Sequence, residues 1–166
     1  MKQLILSRHA KTEVIHYDIS DFERNLTKRG INDSALVSNY LFEKGVQTDL
    51  IISSPANRAI ATAKHFAKRF NIERDSILQI DQLYDGYSTQ EFLEMLQNNA
   101  SNYNRVWVFG HNPDIASWAF KLLDESYRPV PTGTAIGIEF DVENWSDIDA
   151  RSGKLSFYIS PKMLKE

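Results

Sequence analysis

Leu4-Ile5-Leu6-Ser7-Arg8-His9-Ala10-Lys11-Thr12-Glu13 is a short apolar run that ends abruptly in an arginine and a histidine. Apolar residues of strand length near the N-terminus predict a buried β-strand over 3–7. At its carboxyl end stand a permanent cation, Arg8, and an imidazole, His9, whose unperturbed pKa lies near neutrality. Ligands of open α/β sheets bind outside the carboxyl ends of the strands. The rest of the chain is therefore read for groups that reach the same edge.

Three later stretches supply them. Asp49-Leu50-Ile51-Ile52 is a second apolar run, followed by Ser53-Ser54-Pro55. Ser54 there predicts an N-cap and Pro55 a first helical position. Ile60, Ala63, Phe66, Ala67 and Phe70 give the helix an apolar face, and Arg58 falls in its first turn. Arg105-Val106-Trp107-Val108-Phe109 is the clearest buried strand. It ends in Gly110-His111, and Asn112-Pro113 opens another helix by the same cap logic. Ser76–Ile80 is a weaker strand, followed by a turn-rich loop over 81–87.

Between these lie further helices. Residues 10–26 are polar and aperiodic and read as a long loop. Thr27 caps a helix that ends at Gly45. Ser88 and Glu91 match a capping box, with Phe92, Leu93 and Leu96 as the apolar face. Residues 134–142 and 154–160 read as two more strands, antiparallel or added at an edge, joined by a polar connection over 144–153. Trp107, Phe109 and Trp118 read as core.

Alternating strands and helices predict an α/β fold, a three-layer α/β/α sandwich on a mainly parallel sheet, in one domain over 1–166. Right-handed crossovers put the parallel strands' carboxyl ends on one rim. That rim gathers Arg8, His9, Arg58 and His111.

Composition narrows the chemistry. The 166 residues are ordinary globular material, 42% hydrophobic and 25% charged. The formal net charge is −3, so no global basic field invites nucleic acid. There is no cysteine, which excludes disulfides, thiolate metal sites and cysteine nucleophiles. No run reaches membrane-spanning length, and the N-terminus is charged by Arg8, unlike a signal peptide. A cytoplasmic protein without membrane or nucleic-acid partners is expected. Two arginines and two histidines at strand ends and helix N-termini suit a dianion, because guanidinium forks match phosphoryl oxygens. A zinc site from two histidines and an aspartate lacks a spaced ligand pair, and the arginines would repel the metal. His16, in the long loop, and His65, on the second helix, read as surface or packing residues. Arg24 fits either a substrate contact or an anchor for the acidic Asp18-Asp21-Glu23 stretch, the anchor being favoured.

Arg8-His9-Ala10 resembles the Arg-His-Gly signature of the histidine phosphatase superfamily, which also holds the cofactor-dependent phosphoglycerate mutases. Ser53-Ser54-Pro55 with Arg58, and Gly110-His111-Asn112-Pro113, follow in that family's order. The short chain, Arg24-Asn25-Leu26-Thr27 with Gly30, and a C-terminal segment reaching Pro161 are similar to the SixA-like phosphohistidine phosphatases. The resemblance implies a phosphoglycerate mutase-like fold and a metal-independent phosphatase without a cofactor. It implies that His9 attacks phosphorus while Arg8, Arg58 and His111 bind the phosphoryl oxygens. The substrate would be a phosphorylated protein, with phosphohistidine foremost, or a small phosphorylated metabolite. A small-molecule phosphomonoesterase and a phosphoprotein-binding module of weak turnover stand as alternatives. Two departures matter. Ala10 replaces the signature glycine, so ordinary backbone angles are expected there. The family's glutamate acid has no counterpart in Leu83-Tyr84-Asp85-Gly86, leaving Asp85, Asp81 or no general acid. The flanking guanidiniums should keep His9 neutral in the free protein.

Overall fold

A computed structural model describes residues 1–165. The sheet has six strands in the order β3-β2-β4-β1-β5-β6: β1 Lys2–Arg8, β2 Leu50–Ser53, β3 Leu78–Gln79, β4 Arg105–Gly110, β5 Ala135–Phe140 and β6 Lys154–Ile159. β1, β2, β3 and β4 run parallel, with β1 beside β4 and β4 beside β2. β5 is antiparallel to β1, and β6 to β5. The expected antiparallel pair is thus an edge addition to a parallel core.

Helices cover both faces: α1 Lys28–Glu43, α2 Asn57–Arg69, α3 Gln82–Asp85, α4 Thr89–Ala100 and α5 Asp114–Leu122. The strand side chains sort by the period of two. Leu4, Leu6, Val106 and Val108 pack with residues of α4 and α5, including Phe92, Leu96, Ile115 and Trp118. Ile5, Trp107 and Phe109 pack the other way against Val37, Leu41, Ala63 and Phe66 of α1 and α2. The three predicted core aromatics are all fully buried.

α1 starts and stops as its sequence signals require. The Thr27 hydroxyl accepts from the Gly30 N–H at 3.0 Å. At the far end Gly45 has φ +83°, its N–H reaches the Phe42 carbonyl, and that of Val46 reaches the Leu41 carbonyl. This closes the orphan carbonyls in a Schellman motif. The capping box of Ser88 and Glu91 is present in full.

Gly30 answers to a different demand. A Cβ there would lie 2.2 Å from the Lys11 carbonyl oxygen. α1 therefore lies against the backbone just after Ala10. Gly30→Ala should lower stability by about 1–3 kcal/mol, the usual range for overpacking a tight contact, read as an earlier urea midpoint with unchanged slope.

Five segments depart from the sequence reading. α2 begins at Asn57 after Ala56, not after Ser54, because the Ser54 hydroxyl is used in a local turn (accepting from the Ala56 N–H at 3.2 Å) and by His111. α5 begins at Asp114, and the Asn112 amide divides between the Ala116 N–H and the Val130 carbonyl. Residues 76–80 give only the two-residue β3, and the loop over 81–87 contains the single turn α3. The connection over 144–153 hides a core residue: Trp145 is fully buried, and its indole donates to the Ala100 carbonyl at 3.0 Å. Among the described residues no helix is long and apolar enough to cross a membrane.

Candidate active site

Parallel pairing of β1, β4 and β2 brings their carboxyl ends side by side. The His9 N–H bonds the Gly110 carbonyl at 3.0 Å and the Ser54 N–H bonds the Phe109 carbonyl at 3.0 Å. The turn before β5 braces the other side, where the Gly133 N–H meets the carbonyls of His9 and Arg8 at 2.9 and 3.2 Å. Ala10 follows with negative φ, since Asn71 and Arg151 are the positive-φ non-glycine residues among those described. Its N–H donates to Thr62 Oγ1 at 3.0 Å, and Thr62 in turn donates to the Arg58 carbonyl at 2.7 Å. The first turn of α2 is thereby tied directly to the residue after His9.

The four residues expected on one rim are together. The rings of His9 and His111 have centroids 5.3 Å apart. Arg58 and His9 are each only 6% exposed. Arg8 Nη1 donates to the Val130 carbonyl at 3.0 Å. Arg8 Nε, Arg58 Nε and His111 Nδ1 are buried without a hydrogen-bond partner among the described residues. Such unmet polar capacity is rare in a folded protein, and here it is concentrated around two imidazoles.

The protonation of His9 follows from one contact. Its Nδ1 lies 2.8 Å from the Ala10 carbonyl, which can only accept. Nδ1 therefore carries the proton. Burial pushes His9 down to about 3; the Ala10 carbonyl pulls upward, and His111, Arg58 and Arg8 add to the fall. The ring is neutral near pH 7, so Nε2 holds a free lone pair. His111 is held down to about 4 by burial and then Arg58, with Asp21 opposing. Its Nε2 lies 2.8 Å from Ser54 Oγ.

The remaining contacts were not legible as site features. Arg58 donates to the Asp21 backbone carbonyl at 2.7 Å and to its carboxylate at 3.0 Å. Arg24 grips the same carboxylate from Nε and Nη2 and the Glu13 carbonyl from Nη1, which makes it the loop anchor favoured from sequence. Tyr84 donates to Asp21 Oδ2 at 2.8 Å and sets its ring edge-on to His111 at 5.6 Å. Burial raises Asp21, yet the hydrogen bonds from Tyr84, Arg24 and Arg58 hold it at about 2. It is a carboxylate buckle across Arg58. From the segment expected to carry an acid, the residue set against His111 is Tyr84. Asp85 and Asp81 are exposed, and neither side chain makes a hydrogen bond among the described residues. His16 is also exposed, and half-buried His65 sits on α2.

The two depressed imidazoles fix a pH dependence. Each is below the ordinary value of about 6.5, so the unfolded chain takes up protons first. Their contribution to stability is complete above about pH 6.5 and is lost as pH falls toward the folded values. The loss has a slope of up to about 1.4 kcal/mol per pH unit for each group. NMR should show both rings neutral and Nδ1-protonated His9 from pH 8 to 5. Adding sulfate, a dianion, should move both transitions upward.

A model of the histidine phosphatase superfamily (branch 1) matches residues 4–117, more than half of the chain. An uncharacterised chloroplastic protein of Arabidopsis thaliana is 28% identical, over 96% of this chain and 78% of that protein. Among solved structures, the protein histidine phosphatase SixA complexed with tungstate superposes with a TM-score of 0.80 at 23% identity, covering 98% of this chain and 99% of that one. A putative phosphohistidine phosphatase SixA from Agrobacterium tumefaciens gives 0.79 at 22%, covering 96% and 98%. A mycobacterial glucosyl-3-phosphoglycerate phosphatase gives 0.65 at 15%, covering 93% and 97%. The chain belongs to the histidine phosphatase superfamily and is a phosphatase with a SixA-like fold.

Proposed function

We propose that the chain is a metal-independent phosphatase that works through a phosphohistidine on His9 and acts on protein phosphohistidine. The observation that carries this is the bond from His9 Nδ1 to the Ala10 carbonyl, which leaves Nε2 as the lone pair, beside Arg8, Arg58 and His111. Nε2 forms a bond to phosphorus as the bond to the leaving atom breaks, and that electron pair departs with the leaving group. The ring becomes cationic, and its Nδ1–H stays on the Ala10 carbonyl. Arg8, Arg58 and His111 hold the non-bridging oxygens, where charge shifts in the transition state. Water then attacks phosphorus, the P–Nε2 bond breaks, and neutral His9 returns with inorganic phosphate.

The leaving group favours phosphohistidine over an alkyl phosphate. Asp21 is the carboxylate set against Arg58, and a group held at about 2 is a poor proton donor at pH 7. A phosphohistidine protonated on its second ring nitrogen releases neutral imidazole, whose conjugate acid lies at about 6.5, whereas water, the parent of a hydroxide-like oxygen, lies at about 16. Imidazole therefore needs far less help to leave.

The test is a rapid quench with a phosphohistidine peptide and with sugar phosphates. The reading expects acid-labile, base-stable phosphate on His9 and a clear preference for the peptide. Preference for a sugar phosphate would turn the reading to a small-molecule phosphomonoesterase. Binding with neither turnover nor trapped phosphate would turn it to a phosphoprotein-binding module.

A further inference from the structure

A groove of 830 Å³ runs along the outer side of α2, from Asn25 and Asn57 at one end to Asn71 and Arg74 at the other. Asn57, Ala61, Lys64 and Lys68 recur at i, i+4, i+7 and i+11, which aligns them on one side of the helix. Ile60 and Ile72 contribute apolar lining, while Lys64, Lys68 and Arg74 contribute cations. Glu73 is the one carboxylate among the lining residues. Among the described residues none of these three cations forms an ion pair, although seven other ion pairs are present. A chain of net charge −3 thus leaves this groove locally net positive, with three cations against the one carboxylate of Glu73. His65 also lines it and adds no charge near pH 7, since burial, then Lys68 and Arg74, lower its pKa.

The groove is joined to the catalytic rim. Asn57 Nδ2 donates to the Glu23 carbonyl at 3.0 Å and to Asn25 Oδ1 at 3.4 Å. This is the segment whose Asp21 buckles Arg58. Along α2, Lys68 stands about 15 Å beyond Arg58 at the helical rise.

We propose that this groove docks an acidic, partly apolar segment of the phosphorylated protein substrate while its phosphoryl group enters at His9. The proposal rests on the reading of the chain as a protein phosphohistidine phosphatase. Lysines suit the task, since their flexible point charges meet carboxylates without demanding one geometry. Attraction between such exposed charges is screened by salt.

The test uses two phosphohistidine peptides. In one, glutamates mixed with leucines begin five residues from the phosphohistidine, a span of about 16 Å when extended; in the other, glutamines replace the glutamates. With the whole chain at low salt, kcat/KM for the glutamate peptide should exceed that for its glutamine twin about tenfold, with the gap closing in high salt. The double variant K64E/K68E should erase the gap and leave p-nitrophenyl phosphate kinetics unchanged. Equal kcat/KM for the two peptides, or a gap that survives charge reversal, overturns the proposal. Fluorescence anisotropy of the labelled, unphosphorylated glutamate peptide decides the groove without turnover. Binding to wild type and loss in K64E/K68E supports it, and equal binding to both overturns it. If neither phosphopeptide is hydrolysed, the catalytic reading fails, while the anisotropy still judges the groove.

Discussion

His9→Ala should lower turnover of p-nitrophenyl phosphate and of phosphohistidine peptide by at least about 10⁴-fold, the scale seen when a nucleophile acting within a catalytic unit is removed. The protein should remain folded. The backbone of His9 is held by the Gly110 carbonyl and the Gly133 N–H, and neither bond uses the imidazole. The methyl group leaves the Ala10 carbonyl without its Nδ1 partner, so some stability is lost. Against that, a ring that burial keeps neutral is gone, and the acid side of the stability profile should flatten. Circular dichroism with steady-state kinetics checks both halves. Free imidazole added to the variant should restore part of the rate, because it can enter the space beside His111 and attack phosphorus in its place. A folded variant that keeps a tenth of wild-type kcat/KM would sink His9 as the nucleophile.

Arg58→Ala is the second large effect, and the buckle makes its size unusual. Losing one donor to transition-state charge costs about 10²–10³ in kcat. Here the substitution also strips Asp21 of two hydrogen bonds and leaves its carboxylate next to the incoming phosphoryl group. Arg24 and Tyr84 still hold that carboxylate, so it stays ionised and repels the dianion. Arg58→Ala should therefore sit at the severe end, near a thousandfold. Adding Asp21→Asn should recover about tenfold, or about 1.4 kcal/mol of transition-state binding. In the wild-type background Asp21→Asn should do the opposite and raise KM by loosening Arg58. Kinetics of the single and double variants close the cycle, and a sum of independent losses would refute the coupling.

The site divides into parts that a linear reading can find and parts that it cannot. Arg8, His9 and His111 were legible because each stands at the end of an apolar strand, and parallel strands share an edge. Arg58 was legible because it opens a helix after such a strand. Asp21 and Tyr84 were not, since their significance comes from contacts 37 and 63 residues apart in the chain. Neither the long polar loop nor the short turn carries a period that would point inward. Ser54 has the sequence signal of a helix cap and a different use. Its hydroxyl serves His111 as well as a local turn, and that second demand moves the helix start to Asn57. Asp85 is the nearest carboxylate in the segment read for an acid; one residue away, the Tyr84 phenol ring stands against the His111 imidazole. Most of the fold was legible because hydrophobic period two and the caps of α1 and α4 agree with the tertiary packing. β3 is shorter than the stretch 76–80 because only Ile52 and Ser53 offer it a ladder partner.

β1 is paired along its length on both sides, with β4 on one and β5 on the other. The proposed nucleophile, His9, thus directly follows one of the two central strands of the sheet, the class of element that opens only with global unfolding. Destabilising substitutions remote from the rim will change how many molecules are competent, while each competent molecule keeps its intrinsic rate. The total activity of such a phosphatase therefore scales with the abundance of its folded form.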